Sequence, residues 1–350
     1  MAEQYHTVLH HELELRGSEP PWRGGRLRSL YFGGGTPSLM PPERLVEMID
    51  KIKRRFEFPQ DIEITLEANP GAIDRDAFTS FRAVGVNRLS IGAQSFDDEE
   101  LKFLGRIHSS QDVVDTVKSA RSVGFDNLSL DIIYGLPGQT VDSFSSSIQR
   151  ALDLGINHLS TYALTIESGT EFAHAVRIGR IETPDPDRAA EQYLALCKIM
   201  RDAGFDHYEL TNFARPGHQS IHNWTYWRRL PYLGLGVSAH SFDGRKRWWN
   251  TRGIEQYGYY LDAGSLPLDG EEMLNDTESQ EEEVYLNLRA DYGLKLESAL
   301  ILTSQATLDG LIQDDFLYLA DEKLHVPEEK WLLLDEIVLR LLINQAPVPP

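Results

Sequence analysis

Four stretches of the chain repeat one arrangement of apolar and polar positions: "AVGVNRLSIG", "SVGFDNLSLD", "DLGINHLSTY" and "DAGFDHYELT". Each begins as the end of a helical pattern, passes a glycine and enters a short run of strand character. The helical patterns before them cover residues 74–84, 110–123, 140–154 and 187–203. Gly85, Gly124, Gly155 and Gly204 fall where a helix C-terminus calls for positive φ. Upstream, the pattern predicts a helix over 41–55 and strands over 27–32 and 62–67. Strand and helix alternate, which predicts an α/β fold with a parallel sheet and right-handed crossovers. The unequal spacing of the units speaks against a solenoid. A full or partial (β/α) barrel is the first expectation, and a doubly wound open sheet is the second.

Polar motifs recur at one place in this pattern. "GGGTP", "EANP", "GAQSF", "DIIYGLPGQ" and "TIESGT" each follow a predicted strand. Strand C-termini form the active face of parallel barrels and sheets. Any one of these motifs alone reads as a turn; five in register point to a shared ligand site. From residue 216 the pattern changes, so 1–215 is expected as a barrel-like domain. Residues 216–269 are rich in aromatics and glycine, and 270–350 read as a small, mostly α C-terminal domain with a frayed "PVPP" end.

Composition narrows the function classes. The 350 residues carry a formal charge of −20, which disfavours nucleic acid and anionic membranes as partners. A local pocket can still hold a small anion. No uncharged apolar run approaches membrane-spanning length; "WLLLDEIVLRLLI" is broken by Asp335, Glu336 and Arg340. The start of the chain has no secretory pattern, so the cytoplasm is the expected location. The single cysteine, Cys197, lies on an apolar helical face with Tyr193 and Met200 and reads as a buried core thiol.

Several side chains offer chemistry beside a plainer role. Gly33, Gly34 and Gly35 allow a ligand close to the main chain, or simply make a tight turn. No phosphate-loop pattern is present. Glu67 is placed to accept hydrogen bonds from a ribose diol, or to cap the following helix. Arg106 is placed to clamp a carboxylate, or to form a surface ion pair. Gln94 and Asp131 are polar groups at strand ends. Asp131 sits inside the apolar run "LSLDIIYG", where a charge needs a partner. "HNWTYW" combines His222, Trp224, Tyr226 and Trp227, which suits either a flat iron-bearing ring or an aromatic core cluster. His240 in "GVSAHS" is a similar case.

Together, "YFGGGTPS", "EANPG", "NRLSIGAQSF", "LGRIH", "LDIIYGLPGQ", "YELTNFARPG", "HNWTYW" and "GLGVSAHS" resemble the radical S-adenosylmethionine (SAM) proteins of the HemW heme-chaperone type. The resemblance extends more distantly to the oxygen-independent coproporphyrinogen III oxidases. It runs in order over nearly the whole chain. It implies an α/β fold with a partial parallel (β/α) barrel of radical SAM type and a C-terminal domain shared with those oxidases. It also implies that Gly34, Gly35, Thr36, Glu67, Gln94, Arg106 and Asp131 line a pocket for S-adenosylmethionine. His222, Tyr226 and Trp227 would contact heme, with His222 as the candidate iron ligand, and an acceptor protein would receive the heme. "HNWTYW" favours the chaperone over the oxidase.

One departure is large. The family carries a CxxxCxxC loop whose thiolates hold a [4Fe-4S] cluster, and this chain has only Cys197. On the resemblance, the chain begins after the first barrel strand and the cluster loop, as a late start codon or a truncated gene would leave it. Radical cleavage of S-adenosylmethionine is then not expected of this chain. Three readings follow: a heme chaperone, an oxidase of porphyrin biosynthesis, or a non-catalytic remnant.

Overall fold

The alternating pattern becomes one curled, half-barrel sheet of seven strands in the computed structural model of the chain. The structure describes residues 2–35 and 37–343; Thr36 and the "PVPP" end lie outside the described residues. The strands are β1 (Ser29–Phe32), β2 (Glu63–Ala68), β3 (Arg88–Gln94), β4 (Asn127–Tyr134), β5 (His158–Ala163), β6 (Asp206–Glu209) and β7 (Asn212–Ala214). Their order in the sheet is β1-β2-β3-β4-β5-β7-β6. β2 to β5 run parallel. β7 pairs antiparallel with both β5 and β6. Only Leu210 and Thr211 separate β6 from β7, too short a link for a parallel crossover, so the chain turns back there.

Among the described residues, nine α-helices precede and punctuate these strands up to residue 227: α1 (Ala2–Arg16), α2 (Pro42–Arg55), α3 (Arg75–Ala83), α4 (Asp98–Phe103), α5 (Ser110–Ser122), α6 (Val141–Asp153), α7 (Glu171–Arg177), α8 (Pro186–Asp202) and α9 (Ile221–Trp227). The five expected helices form as α2, α3, α5, α6 and α8, within one residue at each end. Their starts have local causes. Asp74 and Asp185 accept hydrogen bonds from first-turn amides, and Ser109 and Thr140 make reciprocal caps with Asp112 and Ser143. Each such cap contributes about 1 kcal/mol. The four repeat glycines all have positive φ, between 69 and 105°.

The strands largely alternate. Leu66, Leu89, Ile91, Leu128, Leu130, Ile132 and Leu159 point to one face and are all 0% exposed. Burying each contributes roughly 1.5–3 kcal/mol. The opposite, inner face is mostly polar: Thr65, Glu67, Arg88, Ser90, Ser129, Asp131, His158, Ser160 and Tyr162, with Ile133 among them; Gln94 follows a register shift at the end of β3. Toward the strand starts this face is filled, with Thr65, Arg88, Ser129 and His158 buried. Toward the strand ends it opens, since Glu67, Gln94 and Asp131 are partly exposed and Tyr162 is exposed.

Contacts group the chain into two compact units. One comprises Tyr31–Met40 and Ile64–Gln219; the other comprises Met1–Leu30, Pro41–Glu63 and Ser220–Pro350. The second unit holds two three-stranded antiparallel sheets, centred on Lys246–Asn250 and Lys323–His325. Its C-terminal part is mainly helical, with Asp276–Leu288 and Leu334–Ile343 as its longer helices. No described helix is long and apolar enough to cross a membrane.

Candidate functional site

The open end of the inner face is organised around Glu67. Its Oε1 accepts a hydrogen bond from the Tyr31 hydroxyl at 2.8 Å, and its Oε2 accepts one from the Gly34 amide at 3.0 Å. These bonds tie the triple-glycine loop to the end of β2. A Cβ at Gly33 would lie 2.6 Å from the Tyr31 ring and 2.7 Å from Glu67 Oε1, so this position must stay bare. Gly34, at φ 107°, and Gly35 have open space where a Cβ would stand.

Asp131 lies two strands away on the same face. The Ser90 hydroxyl donates to it at 3.1 and 3.3 Å, and Ser160 donates as well. Register explains the grouping: Glu67 pairs with Ser90 across β2 and β3, and Asp131 pairs with Ser160 across β4 and β5. Burial is the main cause that pushes the Asp131 carboxyl up to about 6, and the nearby Glu67 charge adds to it. Ser160, Ser90 and Arg88 act in the opposite direction. The Tyr31 phenol is held far above its usual range by burial and by the charges of Glu67 and Asp131. It therefore stays a donor.

Gln94 ends β3 with φ 65°, a left-handed conformation that costs a non-glycine residue about 1–3 kcal/mol. A Cβ at Gly92 would meet its Nε2 at 2.9 Å and Asn69 Oδ1 at 3.6 Å, so both amides crowd this spot. Arg106 is exposed. Two residues later, the buried His108 donates from Nε2 to the Ala93 carbonyl at 3.2 Å. That bond pins the "LGRIH" loop to the end of β3, beside Gln94. Gly34, Glu67 and Gln94 are thus held at strand ends and Arg106 is on a loop fastened there, whereas Asp131, expected at a strand end, lies in the middle of β4.

"HNWTYW" forms α9. Ser220 caps it by accepting from the Asn223 amide at 3.2 Å, and Glu63 accepts from the Ile221 and His222 amides at 3.1 and 3.0 Å. A carboxylate at this helix start is favourably placed. His222 is partly exposed, with Nδ1 3.2 Å from the Ser29 hydroxyl and Nε2 2.9 Å from the Tyr226 hydroxyl. Burial raises the Tyr226 phenol to about 12, so it remains protonated. Each ring nitrogen thus faces a hydroxyl that can donate or accept; in the tautomer where Tyr226 donates, Nε2 carries the lone pair. The Trp227 indole nitrogen is buried without a described partner, and the Arg289 guanidinium lies 5.2 Å from its ring.

"GLGVSAHS" has a structural role. The Gly236 amide donates to the buried Glu12 at 2.8 Å, and Glu12 also accepts from Asn250 and Tyr257 at 2.5 Å each. A Cβ at Gly236 would lie 2.6 Å from the Tyr5 hydroxyl. His240 is exposed and stacks on Trp249 at 5.8 Å.

Known proteins match this architecture. Residues 19–151 match the radical SAM superfamily. Over 335 residues the chain is 34% identical to the heme chaperone HemW of Mycobacterium tuberculosis, a match that spans 96% of this chain and 85% of that one. The chain belongs to the HemW family. The Bacillus subtilis member is 35% identical over 299 residues, covering 85% of this chain and 79% of its own. The solved structure of coproporphyrinogen III oxidase (HemN) from Escherichia coli shares the fold, with a TM-score of 0.82 at 24% identity over 97% of this chain and 83% of that one.

Radical SAM membership implies S-adenosylmethionine and a [4Fe-4S] cluster. The donors at the open inner face fit the first: a bare glycine loop and two carboxylates with spare acceptor positions. The residues of this chain do not fit the second. Its one cysteine, Cys197, is buried on α8 with Sγ 3.9 Å from His207 Nδ1, and one thiolate does not hold a four-iron cluster. Tyr31, Ser90 and Ser160 bond to Glu67 and Asp131 on this face and were not singled out as candidates in the sequence. The signal that finds the two serines is the period-two alternation of β3 to β5.

Proposed function

We propose that this chain carries heme on α9 and passes it to an acceptor protein, as a chaperone of the HemW type. The observation that carries the proposal is His222: an imidazole held in orientation between the Ser29 and Tyr226 hydroxyls, with the Tyr226 ring one helix turn further on. Neutral imidazole is a good iron ligand, and Tyr226 and Trp227 offer faces for the macrocycle. The heme is cargo here. To receive it, Nε2 exchanges the Tyr226 hydroxyl for iron. The acidic surface opposes the heme propionates, but screening confines that effect to about 8 Å at physiological salt.

S-adenosylmethionine is the proposed ligand of the open inner face. The Gly34–Gly35 backbone would lie along it, Glu67 would accept from its hydroxyls, Arg106 would meet its carboxylate, and Gln94 and Asp131 would complete the lining; Thr36, also expected there, lies outside the described residues. No radical step is assigned, because the chain has no set of cluster ligands. Heme titration tests the main proposal. The expected result is one heme per chain with a Soret shift, strongly weakened in His222→Ala and little changed in Cys197→Ala. Titrations that do not distinguish wild type from His222→Ala would overturn the assignment.

A further inference from the structure

Away from both sites, α1 and α2 bring together a second set of donors. His6 and His10 stand four residues apart on α1, with ring centroids 4.1 Å apart. Glu47 faces them from α2. One nitrogen from each histidine and one Glu47 oxygen all lie within 4.8 Å of one another. Both histidines are buried, at 5% and 7% exposure, while Glu47 is half exposed.

The hydrogen bonds set these groups up as ligands. His6 Nε2 lies 3.0 Å from the Arg44 carbonyl, which can only accept, so Nε2 carries the proton. Its lone pair is then on Nδ1, the atom 3.7 Å from Glu47 Oε2. A ring N–H held by a backbone carbonyl is the usual support for a metal-binding histidine. His10 Nε2 is buried with no hydrogen-bond partner among the described residues. An unpaired buried polar atom costs about 1–3 kcal/mol unless something meets it. Arg44 opposes a cation here, since its Nη1 lies 3.1 Å from Glu47 Oε2; Lys51 opposes it too.

We propose that His6, His10 and Glu47 bind one divalent transition-metal ion, with zinc the best match. Ligands about 2.0–2.1 Å from a tetrahedral zinc stand roughly 3.3 Å apart, so the 3.7 Å pair needs only a small adjustment of the exposed Glu47 side chain. Two imidazoles and a carboxylate suit zinc and its neighbours in the first row better than magnesium or calcium. The exposed side of Glu47 leaves a fourth position for water. The ion fastens α1 to α2, and this role is independent of heme.

The test uses the full heme-free chain, stripped with a chelator and titrated with cobalt(II) chloride. The expected result is one equivalent bound, with the visible bands of a low-coordinate cobalt centre that zinc then abolishes. His10→Gln and Glu47→Gln each weaken binding by more than about tenfold, since losing even an outer-shell partner costs about 10–100-fold. His11→Gln, at an exposed neighbouring position, titrates like wild type. Glu47 is half exposed, so its variant folds even if the His10 variant does not. Titrations of folded Glu47→Gln that match wild type overturn the site, and so does wild type binding without those bands.

Discussion

Replacing Asp131 by Asn removes a charge that the fold holds at a cost. The carboxyl rises from 3.8 to about 6, chiefly through burial. That is roughly two units, or about 3 kcal/mol between the two protonation states. The sign follows from linkage. Between about pH 4 and 6 the folded state holds a proton that the unfolded chain has released, so stability falls as pH rises through this window. Above it the full cost persists. About 1.4 kcal/mol of that cost accrues between pH 5 and 8, by the same relation. Asn never ionises and escapes it. Its single acceptor oxygen serves Ser90 and Ser160 less well, a loss of about 1–2 kcal/mol. Net stabilisation at pH 8 is therefore about 1–2 kcal/mol, shrinking toward zero at pH 5. Urea unfolding followed by circular dichroism at both pH values reads the difference directly. A variant whose pH dependence matches wild type would refute the assignment of the raised carboxyl. The same variant should bind S-adenosylmethionine more weakly, the usual exchange of stability against function at a ligand site.

Three further outcomes follow from the geometry. Tyr226→Phe removes the hydroxyl that competes for His222 Nε2, so heme affinity should rise by roughly fivefold for a bond worth about 1 kcal/mol; unchanged affinity in heme titration would mean the bond does not compete. Glu12→Ala leaves the Tyr257, Asn250 and Gly236 donors without their acceptor and should cost about 3 kcal/mol or more in chemical unfolding; a loss under about 1 kcal/mol would show that water replaces the carboxylate. Anaerobic reconstitution of this chain with iron and sulfide should yield no stoichiometric four-iron centre, and a Mössbauer signal near one cluster per chain would contradict the cysteine count.

Much of the half-barrel was legible because helix and strand periods differ. The repeat glycines marked helix ends, and the motifs after each strand marked the open end of the sheet. The hairpin β6–β7 was not legible as such, because "YELTNFA" has strand character throughout and its two-residue turn carries neither Gly nor Pro. Tyr31, Ser90 and Ser160 were hidden for another reason. Each is an ordinary residue inside a strand, and only the register across three strands brings the two serines to Asp131. Glu63 and Ser29 were hidden by distance along the chain: Glu63 meets α9 across 158 residues at Ile221. His6 and His10 were visible as residues, but Glu47 had no motif to connect it with them.

Hydrogen-bond capacity separates structural carboxylates from available ones. A carboxylate has about four acceptor positions. Glu12 is 0% exposed and accepts from three donors drawn from separate elements, so it is committed to holding α1 against the glycine turn at 234–236. Glu67 and Asp131 each accept from two donors and are partly exposed, so each keeps acceptor positions toward the open inner face. Their donors orient them without exhausting them. Half-buried charge with spare, directed acceptors carries a desolvation cost in a fold. At the open inner face, beside a loop where a Cβ at Gly33 would clash, that cost is what a hydroxyl-rich ligand would recover.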